Sequence, residues 1–139
     1  MVDSQYADIA AAERGQAFVK GRLPQWLPRN SQHIWERANL DSSEVWIRFD
    51  LPFKACTALR DSTALASGDA IFGKHRRPEW WPEGLTERVP LEAARAKGLD
   101  IRVAKQGNDL IALKCDLRQV YVYRRLAKGV RQLLDQARQ

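Results

Sequence analysis

The sequence predicts an α+β fold in a single domain over residues 1–139: a four-stranded, mainly antiparallel sheet with helices packed on one face. Three observations carry this expectation. Val45, Ile47, Phe49 and Leu51 alternate with Trp46, Arg48 and Asp50, the pattern of a half-buried strand whose apolar members face the core. Ile101 to Lys105, Leu110 to Cys115 and Val120 to Arg124 are three further short runs separated by turn residues, as in a meander. Helix-period patterns precede and separate these runs. A chain of 139 residues can bury a real core without metals or a dense disulfide framework.

Taken in order, Ser4 to Lys20 is expected to be the first helix. Ser4 caps it, Tyr6, Ile9, Ala10, Glu13, Ala17 and Val19 give a loose helical period, and Gly21 ends it. Leu23 to Arg29 cannot be regular helix, because Pro24 and Pro28 each push the preceding residue into extended geometry. This proline-tryptophan segment, with Trp26 at its centre, is expected to brace the sheet edge. Asn30 or Ser31 then caps a short helical turn carrying Ile34 and Trp35. Beyond the strand, Ala55 to Ala66 is expected to be helical. Gly68, Gly73 and the run KHRRPEWWPEG mark a long connection. Pro90 suits the first helical position and Gly98 the position after the end, giving a two-turn helix over Leu91 to Lys97. Turns at Gln106 to Asp109 and Asp116 to Gln119 separate the last three strands. Leu126, Val130, Leu133, Leu134 and Ala137 form one stripe, with Lys128, Arg131 and Arg138 largely off it, so residues 126–139 are expected to form a C-terminal amphipathic basic helix. Packing on the domain's own sheet suits that helix better than lying on an anionic membrane, since its stripe carries no Trp or Phe.

The net charge of +6 is unevenly placed. Up to Asp69 there are eight Lys/Arg against nine Asp/Glu, and from Ala70 onward fifteen against eight. A basic half attracts nucleic acid, anionic lipid or an acidic protein, or is simply a solvated surface. No apolar run approaches the ~20 residues needed to span a bilayer, and Ile9 to Ala12 is too short to be the core of a signal peptide. Cys56 and Cys115 match no CxxC zinc or redox motif. Placed near the ends of two expected sheet segments, they are a disulfide candidate in an oxidising compartment, with two buried free thiols as the alternative.

Reactive constellations are missing from the pattern. His33 and Glu36 lie three apart, but a metalloprotease helix needs two histidines four apart around a glutamate. Ser42, Ser43, Ser62 and Ser67 lie in turn or capping contexts without a GxSxG elbow, and GQAFVKG lacks the Lys-Ser/Thr pair of a phosphate loop. The expectation is therefore a non-catalytic protein without metal or cofactor. Trp80 and Trp81 are adjacent, so one can enter the core while the other serves as a surface platform for a sugar ring, a base or a protein. The candidate partner-binding residues are Arg76, Arg77, Trp80, Trp81, Arg124, Arg125, Lys128 and Arg131. Tyr121 and Tyr123 share a strand face, without the glycine-aromatic signature of an RNA-recognition sheet.

GRLPQWLPRNSQHI, NLDSSEVWIRFDLP, PEWWPEGL and the closing strands LIALKCD and VYVYRR together resemble a set of small uncharacterised bacterial proteins, many of them exported and often lipoprotein-like. The resemblance covers roughly residues 5–125. It implies an envelope location and supplies no activity. This chain departs from it in showing no signal or lipid-attachment cysteine and in carrying the basic C-terminal segment. The function expected is that of a periplasmic or envelope protein binding another macromolecule, most concretely a protein partner, such as an immunity-type inhibitor of a secreted toxin. A nucleic-acid or anionic-surface binding module is the alternative, with peripheral membrane contact, and a small hydrolase comes third. The alternative compartment is the cytoplasm.

Overall fold

The computed structural model describes residues 1–73, 77–105 and 109–126. Among these, the order is β1 (Val2–Asp8), α1 (Ile9–Arg14), β2 (Gln32–Asn39), β3 (Glu44–Asp50), α2 (Phe53–Asp61), β4 (Ala64–Leu65), β5 (Asp69–Ile71), β6 (Arg88–Pro90), α3 (Leu91–Ala96), β7 (Asp100–Val103), β8 (Leu110–Lys114) and β9 (Gln119–Arg125). Seven strands form one antiparallel sheet in the order β1-β2-β3-β9-β8-β7-β4, and β5 pairs with β6 alone. The molecule is thus mostly sheet with three short helices, which corrects the four-stranded α+β expectation.

Each departure has a local cause. Residues 4–20 do not form one helix, because Val2, Ser4 and Tyr6 alternate in exposure with Asp3 and Gln5, and β1 pairs along β2 from Val2 opposite Ala38 to Asp8 opposite Gln32. Asp8, not Ser4, caps the helix that remains, its carboxylate accepting from the Ala11 amide at 2.9 Å. That helix stops at Gly15, where a Cβ would stand 2.8 Å from the Tyr6 ring. Residues 32–39 are a strand and not a helical turn: Ile34, Glu36 and Ala38 all point inward, and the charge on Glu36 hides the alternation. The long connection holds β5 and β6, each of three residues. β4 takes the end of the segment expected to be helical. The helix at Leu91–Ala96 falls between Pro90 and Gly98 as expected, but Pro90 is its extended N-cap at the end of β6 and not its first helical residue, and Gly98 lies at φ 78° after its end. The basic helix expected over residues 126–139 lies, beyond Leu126, outside the described residues.

The sheet is covered on both faces. On one lie Ile34, Val45, Ile47, Phe49, Val120 and Val122, packed under α1, α2 and the proline-tryptophan segment. That segment crosses the face through Leu23 and Leu27 instead of bracing an edge. On the other lie Trp46, Tyr121 and Tyr123, packed under Phe72, Trp81, Leu85, Val89 and α3. Val45, Ile47, Phe49 and Leu51 face the core as expected, but Trp46 is equally buried on the opposite side, so β3 is central and not half-exposed.

Polar ties hold both covers. Asp109 accepts from the Trp26 indole N–H at 2.8 Å through one oxygen and from Arg124 Nε at 3.1 Å through the other, fastening the proline-tryptophan segment to β9. On the opposite face, the Trp46 indole N–H donates to the Phe72 carbonyl at 3.0 Å. The Tyr123 hydroxyl donates to Glu44 at 2.6 Å, and Gly73 passes so close that a side chain there would meet both Glu44 and Tyr123. Cys56 in α2 and Cys115 in the turn between β8 and β9 form a disulfide, with Cα atoms 5.5 Å apart.

Phe49→Ala should lower the unfolding free energy by ~3–5 kcal/mol in denaturant titration, the range for truncating a buried aromatic. A loss below about 1 kcal/mol would contradict the register of β3. Closing a loop across 59 positions, the disulfide should contribute about 4 kcal/mol in the chain-entropy model. Equal urea midpoints for oxidised and reduced protein would contradict that contribution.

Candidate functional site

β2, β3 and β9 are adjacent, and their register sets Trp35 opposite Arg48 and Arg48 opposite Tyr121 on one rung. Directly opposed side chains on one sheet face are the closest non-local neighbours that a strand offers. Here they stack a cation between two rings: the Arg48 guanidinium carbon lies 5.9 Å from the Trp35 ring centre and 5.7 Å from that of Tyr121. The chain at Trp80–Trp81 closes the group. Trp81 contacts Tyr121 at 5.8 Å between ring centres, Trp80 contacts Trp81 at 6.3 Å, and Trp80 meets Trp35 at 6.2 Å with the rings at 82°. Five side chains thus form a closed circuit on the sheet face beside the cover that Phe72 and Leu85 make.

The circuit is half core and half surface. Trp81 and Tyr121 are buried, whereas Trp35, Arg48 and Trp80 are half-buried. The chain has five tryptophans. Trp26, Trp46 and Trp81 donate their indole N–H groups to Asp109, Phe72 and Leu85. Among the described residues the indole N–H groups of Trp35 and Trp80 have no partner, and neither is sealed from solvent. Arg48 likewise makes no ion pair or hydrogen bond among the described residues, and its nitrogens remain open. A planar fork of donors is therefore held by stacking with its hydrogen-bonding capacity unspent.

Carboxylates rim the circuit. Asp50, two positions along β3 on the same face, contacts His33 Nδ1 at 2.9 Å beside the bulge that separates Gln32 from Trp35 in β2. Arg37 pairs with Asp3 at 2.7 Å and with Glu79 at 3.5 Å. The Tyr121 hydroxyl donates to Gln119 at 3.0 Å. Burial pushes the Tyr121 phenol above its ordinary value, the nearby Arg48 charge opposes that, and Asp50 adds to it, so the hydroxyl stays a neutral donor.

The residues singled out from sequence fall in different places. Trp81 packs in the core and Trp80 stays at the surface, but they touch edge to face instead of pointing apart. Arg77 donates to the Gly73 carbonyl at 3.0 Å. Arg124 and Arg125 project from opposite faces of β9. Arg124 is tied to Asp109 and to the Gly21 carbonyl at 3.3 Å, while Arg125 is exposed. Arg76, Lys128 and Arg131 lie outside the described residues. Trp35 and Arg48 are not among the sequence candidates, and Tyr121 enters there only beside Tyr123, because their rung exists only once residues 32–39 are read as a strand. A period-two scan that tolerated one inward charge would have found it.

A second cluster is buried beneath β1 and β2. Glu36 has no exposed side-chain surface, lies 3.8 Å from Arg22 and accepts from the Tyr6 hydroxyl at 3.4 Å, while its other oxygen and Arg22 Nε are unpartnered. No group of His, Cys, Asp and Glu among the described residues could hold a metal ion. No helix among them is long and apolar enough to cross a membrane.

Residues 1–50 match the family model of the YbbD head domain, a span covering β1, α1, β2 and the whole of the central strand β3. This similarity takes in Trp35 and Arg48 but stops short of Trp80, Trp81 and Tyr121. No curated protein and no solved structure matches the chain.

Burial lifts the Glu36 carboxyl from its ordinary 4.5 to about 7, with Arg22 and Tyr6 offsetting only part of the cost. The folded state holds this proton more tightly than the unfolded chain does. Its stabilisation is therefore fully present below pH 4.5 and lost as pH rises through about 7, a decline on the order of 3 kcal/mol. Glu36→Gln should flatten the denaturation free energy across that interval. A wild-type profile parallel to that of the variant would show that Glu36 titrates as it does in the unfolded chain.

Proposed function

We propose that this chain is a non-catalytic module of the bacterial cell envelope that binds another macromolecule through the Trp35–Arg48–Tyr121–Trp81–Trp80 circuit. The observation that carries the reading is the coincidence of unspent donors: Trp35 and Trp80, both without an indole N–H partner, stand in one circuit with Arg48, which is held between Trp35 and Tyr121 and has no ion pair among the described residues. Aromatic and arginine side chains held rigid at a surface are the residue types that dominate binding energy at interfaces. The Cys56–Cys115 disulfide supports an oxidising compartment, and the resemblance to exported bacterial proteins points the same way. A partner-inhibiting protein of the immunity type is the most concrete version with a protein partner.

The nucleic-acid alternative draws less support from this face. Asp3, Asp50 and Glu79 stand around the circuit, and Arg124 is turned inward onto Asp109. A phosphate backbone needs cations along its track.

Tagged protein incubated with the separated fractions of the native envelope (periplasmic proteins, membranes and wall polymer) should be retained by one of them. Arg48→Ala and Trp80→Ala should each weaken retention at least ~10-fold, as loss of an interface anchor does. Val19→Ser, at a position 86% exposed in the segment covering the opposite face, should leave retention unchanged. Absence of retention, or equal retention by all four proteins, would contradict the reading.

A further inference from the structure

The ligand chemistry of the circuit can be taken further, resting on its reading as the binding face. We infer that it takes a saccharide bearing a carboxylate, with the carboxylate on Arg48 and the sugar ring against the indoles of Trp35 and Trp80.

Three features converge on that class. Arg48 offers a planar donor fork fixed between Trp35 and Tyr121, and such a fork matches the two oxygens of a carboxylate. Trp35 and Trp80 stand at 82° to each other with ring centres 6.2 Å apart, so one ring meets the other edge-on and apolar ring surface borders two free N–H donors. A pyranose has an apolar C–H face and a polar hydroxyl edge, and an aromatic ring with a polar handle suits both. The rim then supplies acceptors: Asp50 and Asp3 are 37% and 60% exposed at their side chains and Glu79 is 86% exposed. Each can accept from a hydroxyl.

The same rim separates this class from its competitors. A polyphosphate would meet Arg48 but bring further negative charge against a face where three carboxylates, Asp3, Asp50 and Glu79, stand against two guanidiniums, Arg37 and Arg48, and like charges in close approach oppose binding. An acidic peptide has the same difficulty wherever its charges exceed one. A hydroxyl-rich ring with a single carboxylate satisfies Arg48, which unlike Arg37 makes no ion pair among the described residues, and the surrounding acceptors together.

The probe is the disaccharide of N-acetylglucosamine and N-acetylmuramic acid, which carries one carboxylate, compared with its carboxyl-reduced alcohol, with an eight-residue oligothymidylate and with an octaglutamate peptide. Titrations followed by tryptophan fluorescence and calorimetry should show saturable binding of the parent sugar and affinity at least ten-fold lower for the reduced sugar. Arg48→Ala should bind both sugars equally and weakly. Arg48→Lys, which keeps the charge and loses the fork, should also bind the parent at least several-fold more weakly; it preserves the test if the alanine variant unfolds. Equal affinity of wild type for the two sugars, or tighter binding of the oligonucleotide or the peptide, overturns the inference. If wild type binds neither sugar yet is still retained by an envelope fraction in an Arg48-dependent way, the ligand class is wrong and the binding face stands. Loss of both results removes both.

Discussion

Between Val45 and Leu51, β3 presents Val45, Ile47 and Phe49 to one side of the sheet and Trp46 to the other, all without solvent exposure. Each large apolar side chain moved out of water contributes about 1.5–3 kcal/mol, so neither face of this strand can be left bare. The rest of the architecture answers that constraint. One cover is made by α1, the proline-tryptophan segment and α2; the other is made, among the described residues, by Phe72, Trp81, Leu85, Val89, Ala94 and Leu99. Both are irregular for much of their length, and irregular segments need fixed points. Asp109 supplies one by holding Trp26 and Arg124 together, the Cys56–Cys115 bond supplies a second, and the Trp46–Phe72 and Tyr123–Glu44 hydrogen bonds anchor the opposite cover.

The binding face follows from where the second cover ends. Phe72, Trp81 and Leu85 seal Trp46 and Tyr123, but among the described residues the cover stops at Trp80 and leaves the β2–β3 side of the sheet half-open. Along one rung of that side stand Trp35, Arg48 and Tyr121, so Trp81 belongs to the core and Trp80 to the boundary. Because three of the five members are anchored in adjacent strands, the guanidinium is aimed before any ligand arrives. A donor held in place costs less ordering on binding than a free surface arginine does.

Much of this was legible in the residues, and the failures share a physical origin. The alternation at Val45–Leu51, the short strands of the last third and the Pro90–Gly98 helix rest on local patterns that tertiary contacts did not override, whereas the cysteines, 59 positions apart, offer a bond or two free thiols until the fold brings them together. The local pattern points to helix from Ser4 through most of β1 and to a helical turn at Ile34 and Trp35, the start of β2. A buried Glu36 breaks the inward apolar series of β2, and the Ala-rich stretch that follows β1 favours helix in isolation but meets the Tyr6 ring at Gly15. Edge and hairpin partners supply the energy that local propensity lacks. Losing β2 from the reading also lost the site, since Arg48 looks like an ordinary solvent-facing residue until Trp35 and Tyr121 are set beside it. Arg124 failed in the opposite sense. Its charge suggested a surface, and only the fold brings Asp109 and Gly21 to it.

The five indole N–H groups offer the most direct measurement, because each gives its own signal in a proton–nitrogen correlation spectrum. Trp26, Trp46 and Trp81, hydrogen-bonded inside the molecule, should exchange slowly with solvent. Trp35 and Trp80 should exchange fast, and theirs should be the indole signals that move when a retained envelope fraction is added. Slow exchange at Trp35 and Trp80, or shifts confined to Trp26 on the opposite cover, would contradict the account.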